Sequence, residues 1–261
     1  VAAVPPAIFD QQMDQWQREQ ALPWYQLKHH QVQVNLAQHL PSPPLRILDA
    51  GGGNGLDSLP LAALGHTVVI ADYSTAMLAD AEARAVAAGV SAQVRLHQAD
   101  LSALGAALAD EVFDVVLCHN VMQYLPDPSG VLRVLARLVR VGGLLSLVSM
   151  NRYSSVYAAA FLRDDLTAAQ EQIDARTTRG VMFPADLIVY SPEEAAEMLA
   201  ASGLTVAAHY GLLCITPYWG DNAAKHDPAI YAQLAALEAA LADKHPYKLL
   251  ARHFHLIAQK R

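Results

Sequence analysis

The chain has 261 residues, 53% hydrophobic and 16% charged, so it can bury a substantial core and is too apolar to be disordered. Its formal charge of −7 disfavours a polyanionic partner, because an acidic chain gains little from counterion release. No apolar run approaches the roughly 20 residues of a membrane span, and the first residues lack a basic-then-apolar leader, so the expectation is a cytoplasmic protein without membrane contact.

Residues 8–40 read as helical, with Pro23 dividing the run, and Pro41, Pro43 and Pro44 lead out of it. An apolar run at 45–48 then delivers Asp49, followed by the turn Gly51-Gly52-Gly53-Asn54-Gly55 and an amphipathic helix over 56–64. Strand, glycine turn and helix in that order open a βαβ unit. A second apolar strand, 66–72, ends in Asp72, and a third, 94–100, ends in Asp100. A fourth, 113–119, ends in His119 and precedes the helix opener Asp127-Pro128; a fifth, 144–150, follows the turn Val141-Gly142-Gly143. Cys118 and Cys214 fall in apolar strand patterns and are expected to be buried thiols.

Residues 151–190 lose the strand–helix alternation and carry Tyr153, Tyr157 and Phe161, a charged helix over 164–179, and Phe183-Pro184. A segment of this length between core elements predicts a lid or substrate-binding insertion. Ser191-Pro-Glu-Glu194 has the capping-box spacing of a helix start, and Ser202-Gly203 ends that helix. Strands over 204–215 and 254–259, flanking a helix over 227–245, complete the sheet. The expected architecture is a doubly wound, seven-stranded, mostly parallel α/β sheet with N-terminal helices and a helical insertion. It divides into a cap (1–44), a cofactor-binding core (45–150), the insertion (151–190) and the C-terminal part of the sheet (191–261).

The glycine turn departs from the dinucleotide pattern G-x-G-x-x-G, since Leu56 stands three places after Gly53. A carboxylate at Asp49 would repel a pyrophosphate but suits a cation. With strand-terminal acids at Asp72 and Asp100, Phe113-Asp-Val-Val-Leu and Val141-Gly-Gly in order, the chain resembles the class I S-adenosylmethionine (SAM)-dependent methyltransferases. The resemblance implies a Rossmann-like fold and SAM as cofactor. It assigns SAM contacts to Lys28, Asp49, Gly51, Gly52, Gly53, Gly55, Asp72, Tyr73, Met77, Asp100, Leu101, His119 and Asn120. Asp72 would face the ribose hydroxyls and Asp100 the adenine.

Segments outside the core narrow the likeness: Trp24-Tyr-Gln-Leu-Lys28, Phe183-Pro-Ala-Asp186 with Tyr190-Ser-Pro, His245-Pro-Tyr247, and Arg252-His-Phe-His255. In these the chain looks like the tRNA 5-carboxymethoxyuridine methyltransferases and their bacterial relatives, which esterify a carboxylate on the wobble base. There an N-terminal arginine and a histidine after the fourth strand contact the cofactor; Lys28 and His119 stand at those places. The family's lysine-rich stretch is thinned here to Ala175-Arg-Thr-Thr-Arg-Gly180, and the apolar Leu212-Leu213 replaces a basic residue. These departures favour a small-molecule acceptor, through a carboxylate or hydroxyl, over tRNA. A non-catalytic SAM-binding protein is the contrasting class, which three intact acids argue against.

A carboxylate acceptor needs no general base, whereas a hydroxyl often does. The weak candidates for a base are His119, Tyr210 and His255, with His29 and His30 behind them. His119 is better suited to packing the cofactor, because it ends a core strand where open α/β sheets bind ligands. Tyr153, Tyr157, Tyr190, Trp219 and Arg252, with Tyr247, are candidates for the acceptor wall. His29 and His30 are adjacent on a helix and face different ways, so no metal site is expected.

Overall fold

A computed structural model describes residues 5–42, 44–180 and 185–261. Its centre is a seven-stranded sheet built from β1 (Arg46–Ala50), β2 (Thr67–Asp72), β3 (Val94–Gln98), β4 (Phe113–His119), β5 (Val139–Met150), β8 (Leu204–Leu212) and β9 (His253–Lys260). The order is β3-β2-β1-β4-β5-β9-β8, with β9 antiparallel to both neighbours and β1 to β5 mutually parallel. Two further strands, β6 (Thr177–Arg179) and β7 (Asp186–Ile188), form a separate antiparallel pair. The expected doubly wound, mostly parallel sheet is the observed one.

Side-chain alternation along the strands feeds two cores, as a sheet covered on both faces requires. Leu48, Ala50, Val116, Cys118, Leu145, Leu147, Phe254 and Leu256 share one cluster, packed on the helices Pro128–Leu138 and Pro192–Ala201. Ile47, Ile70, Val115, Leu117, Val148 and Ile257 share the other, under Val32 and Leu36 of the helix Pro23–Ala37 and Leu78, Ala81 and Ala85 of the helix Thr75–Ala87. Both cysteines are buried free thiols. No described helix is long and apolar enough to cross a membrane.

Several boundaries differ from the sequence reading. The N-terminal region folds as three helices, Pro6–Gln11, Met13–Gln20 and Pro23–Ala37, and Pro23 opens the third, where its missing N–H is no loss. The helix after the glycine turn is only Leu59–Ala63, because 56–58 stay in turns that aim Asp57 inward. Strand β5 starts at Val139, with a register shift opposite Phe113 and Val115, and Gly142 takes φ +77°. The charged helix expected over 164–179 is instead a helix of six residues, Leu166–Glu171, and then β6. Asp164 sits at φ +52°, so the helix starts only after it, capped by Asp165, and the β-branched Thr177-Thr178 pair with Ile188 and Leu187. The capping box at Ser191 and Glu194 forms as expected, and Gly203 ends that helix at φ +82°. Phe183 and Pro184 of the insertion lie outside the described residues.

Candidate functional site

Strands β1 to β5 all end at one edge of the sheet, and a single large cavity of about 980 Å³ opens there. Asp49, Asp72, Asp100, His119 and Met150 line it, each at or just past the end of a different one of these strands. Its opposite wall comes from elsewhere in the chain. Trp16, Trp24, Tyr25, Lys28 and His29 come from the N-terminal helices; Leu162, Arg163, Thr178, Arg179 and Leu187 come from the 151–190 region; Leu213, Lys225, Arg252 and His253 come from the C-terminal part. Two of the three described non-glycine residues with positive φ, Asn120 at +56° and Leu213 at +59°, line the cavity, as local strain at ligand sites often does.

The glycines of the turn divide by role. A Cβ on Gly52 would stand 2.5 Å from Asp49 Cγ and 2.9 Å from Ile70, and one on Gly55 would strike Ile70 and Leu59. These two glycines let the turn pack. Gly53, at φ +53°, faces open space: its nearest neighbour would be Met77 Sδ at 3.7 Å. The turn is thus a cradle with one bare rim, the shape a closely approaching ligand needs. Gly51, Gly52 and Gly53 line the cavity, whereas Gly55 does not.

The acids differ in environment. Asp72 accepts hydrogen bonds from Gly53 N and Ser74 N, both at 2.9 Å, while burial raises its pKa. Asp49 is almost wholly buried, and burial pushes it up to about 6. Asp100 accepts from Ser102 N at 2.8 Å and caps a short helical turn, so it serves as a cap and lines the cavity at once. Lys28 is buried 5.1 Å from the Tyr25 ring centroid, and burial lowers its pKa to about 8. A buried acid and a buried ammonium on one cavity fit a ligand carrying both charges. Tyr73, Met77, Leu101 and Asn120 also line the cavity.

The sequence reading missed Asp57, which lines the cavity and is buried. It lies within the expected helix, and only partners far along the chain reveal its part. His29 Nδ1 stands 2.6 Å from Asp57 Oδ1, and His119 Nδ1 stands 2.8 Å from Asp57 Oδ2. Burial alone would raise this acid; the two histidines outweigh it and hold it well below the usual carboxylate range. The chain of bonds runs on from His119 Nε2 to Ser146 Oγ at 2.7 Å, to His255 Nε2 at 2.8 Å, and from His255 Nδ1 to Asn35 at 3.3 Å.

This network corrects two candidates for a base. His119 lines the cavity, but both of its ring nitrogens are engaged. His255 is fully buried with both nitrogens engaged, and burial, then His119, depresses its pKa well below normal. Tyr210 is not at the cavity either, because its hydroxyl bonds His39 Nε2 at 2.7 Å beneath the sheet. His30 is exposed while its neighbour His29 lines the cavity.

Of the acceptor-wall candidates, only Arg252 reaches the cavity, with its guanidinium on Ser154 Oγ at 3.1 Å. Tyr153 is at the surface bonding Glu193, Tyr157 stacks on Phe161, and Tyr247 is half exposed. Tyr190 bridges to Asn151 beside a separate shallow groove. Trp219 packs on Leu27, Leu213 and Leu234. The aromatic residues that do face the cavity are Trp16, Trp24, Tyr25, Tyr73 and Tyr124. Spacing alone does not separate the two sets, since helix packing chooses which aromatic faces inward.

Comparison with known proteins agrees with this geometry. The family described as a methyltransferase domain matches residues 48–147. The tRNA 5-carboxymethoxyuridine methyltransferase of Escherichia coli is 29% identical over 220 residues, 83% of this chain and 80% of that protein. The ubiquinone biosynthesis O-methyltransferase of Rhizobium johnstonii is 36% identical over 172 residues, 66% of this chain and 64% of that protein. The crystal structure of magnesium protoporphyrin IX methyltransferase from Synechocystis with bound S-adenosylhomocysteine (SAH) has the same fold, with a TM-score of 0.63 and 17% identity, covering 95% of this chain and 94% of that one. Residues 48–147 match a methyltransferase domain, and with these relatives and the shared fold they support a class I SAM-dependent methyltransferase with SAM as its cofactor.

Proposed function

We propose that the cavity holds SAM against β1 to β4 and a small acceptor against the opposite wall, and that the methyl group passes to an oxygen of that acceptor, a carboxylate or a hydroxyl. The supporting observation is the cavity itself. At about 980 Å³ it lies at the upper end of the range for small-ligand sites, about 300–1,000 Å³, which leaves room for two small molecules together. In this reading Gly53 lies under the cofactor, Asp72 binds the ribose, Asp100 faces the adenine, Asp49 faces a positive group, and Lys28 pairs with the methionine carboxylate. Holding the acceptor oxygen in line with the methyl group supplies much of the rate, through positioning.

A tRNA acceptor is the second reading, suggested by the Escherichia coli relative. Against it stand the net charge of −7 and the state of the basic stretch: Arg176 pairs with Glu194, and Arg179 pairs with Asp186 at 3.0 Å. The experiment is methyl transfer from labelled SAM to a metabolite extract and to total tRNA containing carboxymethoxyuridine. We expect label in the small-molecule fraction with little salt dependence. Efficient labelling of tRNA that falls steeply with salt would replace this reading with the second. The N-terminal helices and residues 151–190 act here as a cover over both ligands, so hydrogen exchange should slow in both on adding SAH. Unchanged exchange in both would rule the cover out.

A further inference from the structure

The chain of bonds through Asp57 contains one vacancy, and its position is informative. Strands β4, β5 and β9 carry His119, Ser146 and His255 on the sheet face under the helix Pro23–Ala37, which carries His29 and Asn35. Proton positions follow from what each atom can do. Asp57 is held ionised and accepts from His29 Nδ1–H and His119 Nδ1–H. His119 Nε2 then carries a lone pair and accepts from the Ser146 hydroxyl. The Ser146 oxygen accepts from His255 Nε2–H, and His255 Nδ1 accepts from Asn35 Nδ2. In these bonds every ring nitrogen of the three histidines is filled except one. His29 Nε2 is buried and has no hydrogen-bond partner.

We infer that His29 is the general base of the reaction, that Asp57 orients it, and that the acceptor is therefore a hydroxyl compound. Three observations carry this. His29 and Asp57 both line the cavity with the glycine turn. In a neutral ring whose Nδ1 donates to a carboxylate, the unfilled nitrogen is the one that bears the lone pair, the arrangement that sets the tautomer in acid–histidine–nucleophile triads. Asp57 is itself pinned on its other oxygen by His119, so it cannot turn away. A carboxylate acceptor is already ionised at neutral pH and would leave such a base idle. The aromatic side chains Trp16, Trp24, Tyr25 and Tyr124 on the same cavity suit a planar acceptor, such as a phenol.

In the step, the acceptor O–H bond breaks and its proton passes to His29 Nε2. The oxygen bonds to the methyl carbon, and the carbon–sulfur bond breaks with its electron pair remaining on sulfur. Asp57 balances the imidazolium until the proton leaves to water. The rival explanation is that His29 and Asp57 only fasten the N-terminal helix to the turn, as Gln33 does by donating to the Asp57 carbonyl at 2.8 Å.

This inference rests on the reading that acceptor and SAM share the cavity, and the test separates the two. SAH binding is measured first by calorimetry on the full chain, wild type and His29→Gln. Glutamine can still donate to Asp57 but cannot take a proton, so affinity should change by no more than about twofold. No SAH binding in the wild type would overturn the underlying reading of the cavity. With SAH bound, nitrogen NMR of the histidine rings should show His29 protonated at Nδ1 and bare at Nε2 near neutral pH. A ring protonated at Nε2, or doubly protonated from pH 6 to 9, overturns the inference. The third arm follows methyl transfer to 4-nitrophenol, 4-chlorophenol, phenol and benzoate. We expect ether formation by the wild type and a loss of about 100-fold or more in His29→Gln, the usual worth of a general base. That loss should be smallest for the most acidic phenol, and the residual rate should climb with pH. Equal rates in the two proteins, ester from benzoate without ether from any phenol, or no methylation of any probe would each overturn it.

Discussion

The two walls of the cavity are built from different material. The wall formed by the ends of β1 to β4 takes its residues from one stretch, 49–134, at the strand ends or in the segments that follow them. The facing wall is assembled from segments as far apart as Trp16 and His253. The first depends on short strands and tight turns, the second on how helices and loops settle over the sheet. A change in the wall proposed to hold SAM should therefore act on one ligand and leave the fold alone, unless it touches a packed glycine.

The largest contrast is expected between neighbours in the turn. Gly53→Val places a side chain in open cavity and should abolish SAH binding while lowering the melting temperature by only a few degrees, the cost of a side chain at positive φ, about 1–2 kcal/mol. Gly52→Val drives a side chain into Asp49 and Ile70 and should lower the melting temperature more than Gly53→Val does, with loss of binding following from it. Calorimetry beside thermal melts reads both; tight binding by Gly53→Val would make the turn purely structural.

Asp72→Ala comes next. Loss of a charge-assisted hydrogen bond costs about 1.5–3 kcal/mol, so SAH affinity should fall roughly 10- to 150-fold. Wild-type affinity in this variant would remove Asp72 from the ribose.

The pH dependence of SAM binding sharpens the comparison across the cavity. Asp49, facing His119, Asp57 and Asp72, titrates at about 6 in the free protein. A bound cation favours its ionised form, so binding releases a proton and weakens as pH falls through about 6. Lys28, facing Tyr25, Asp57 and His253, titrates at about 8. A bound carboxylate favours its charged form, so binding takes up a proton and weakens as pH rises through about 8. Each limb approaches tenfold per pH unit. Asp49→Asn should flatten the acid limb and Lys28→Met the alkaline one; a limb unmoved by its own variant would reassign that contact.

The smallest effect is expected from Tyr153→Phe. It removes one surface hydrogen bond to Glu193, so stability and SAH affinity should both stay within about 0.5 kcal/mol of wild type. A tenfold fall in affinity would return Tyr153 to the site.

How much was legible in advance follows the same division. The strands around Asp49, Asp72, Asp100 and His119 announce themselves through apolar runs that end in a polar residue, and the structure places all four on the cavity. The roles of Gly52 and Gly53 were indistinguishable as letters, because Ile70 and Asp49 decide which one is free. Asp57 was hidden inside a helix pattern, and its two histidines come from 28 residues before it and 62 after it. The strand Thr177–Arg179 falls inside the charged helix expected over 164–179, because pairing with Asp186–Ile188 overrode a charged run that resembled a helix surface.

The amino-acid sequence by itself determined the order of strands and helices, the glycine turn and the acids that follow the strands, because these depend on periodicity and on neighbours within a few residues. The tertiary structure alone decided which aromatic side chains face the cavity, which histidine bonded to Asp57 keeps an unfilled nitrogen and which candidates are spent elsewhere. Those outcomes depend on contacts between residues such as His255 and Asn35, 220 positions apart, which no local pattern encodes.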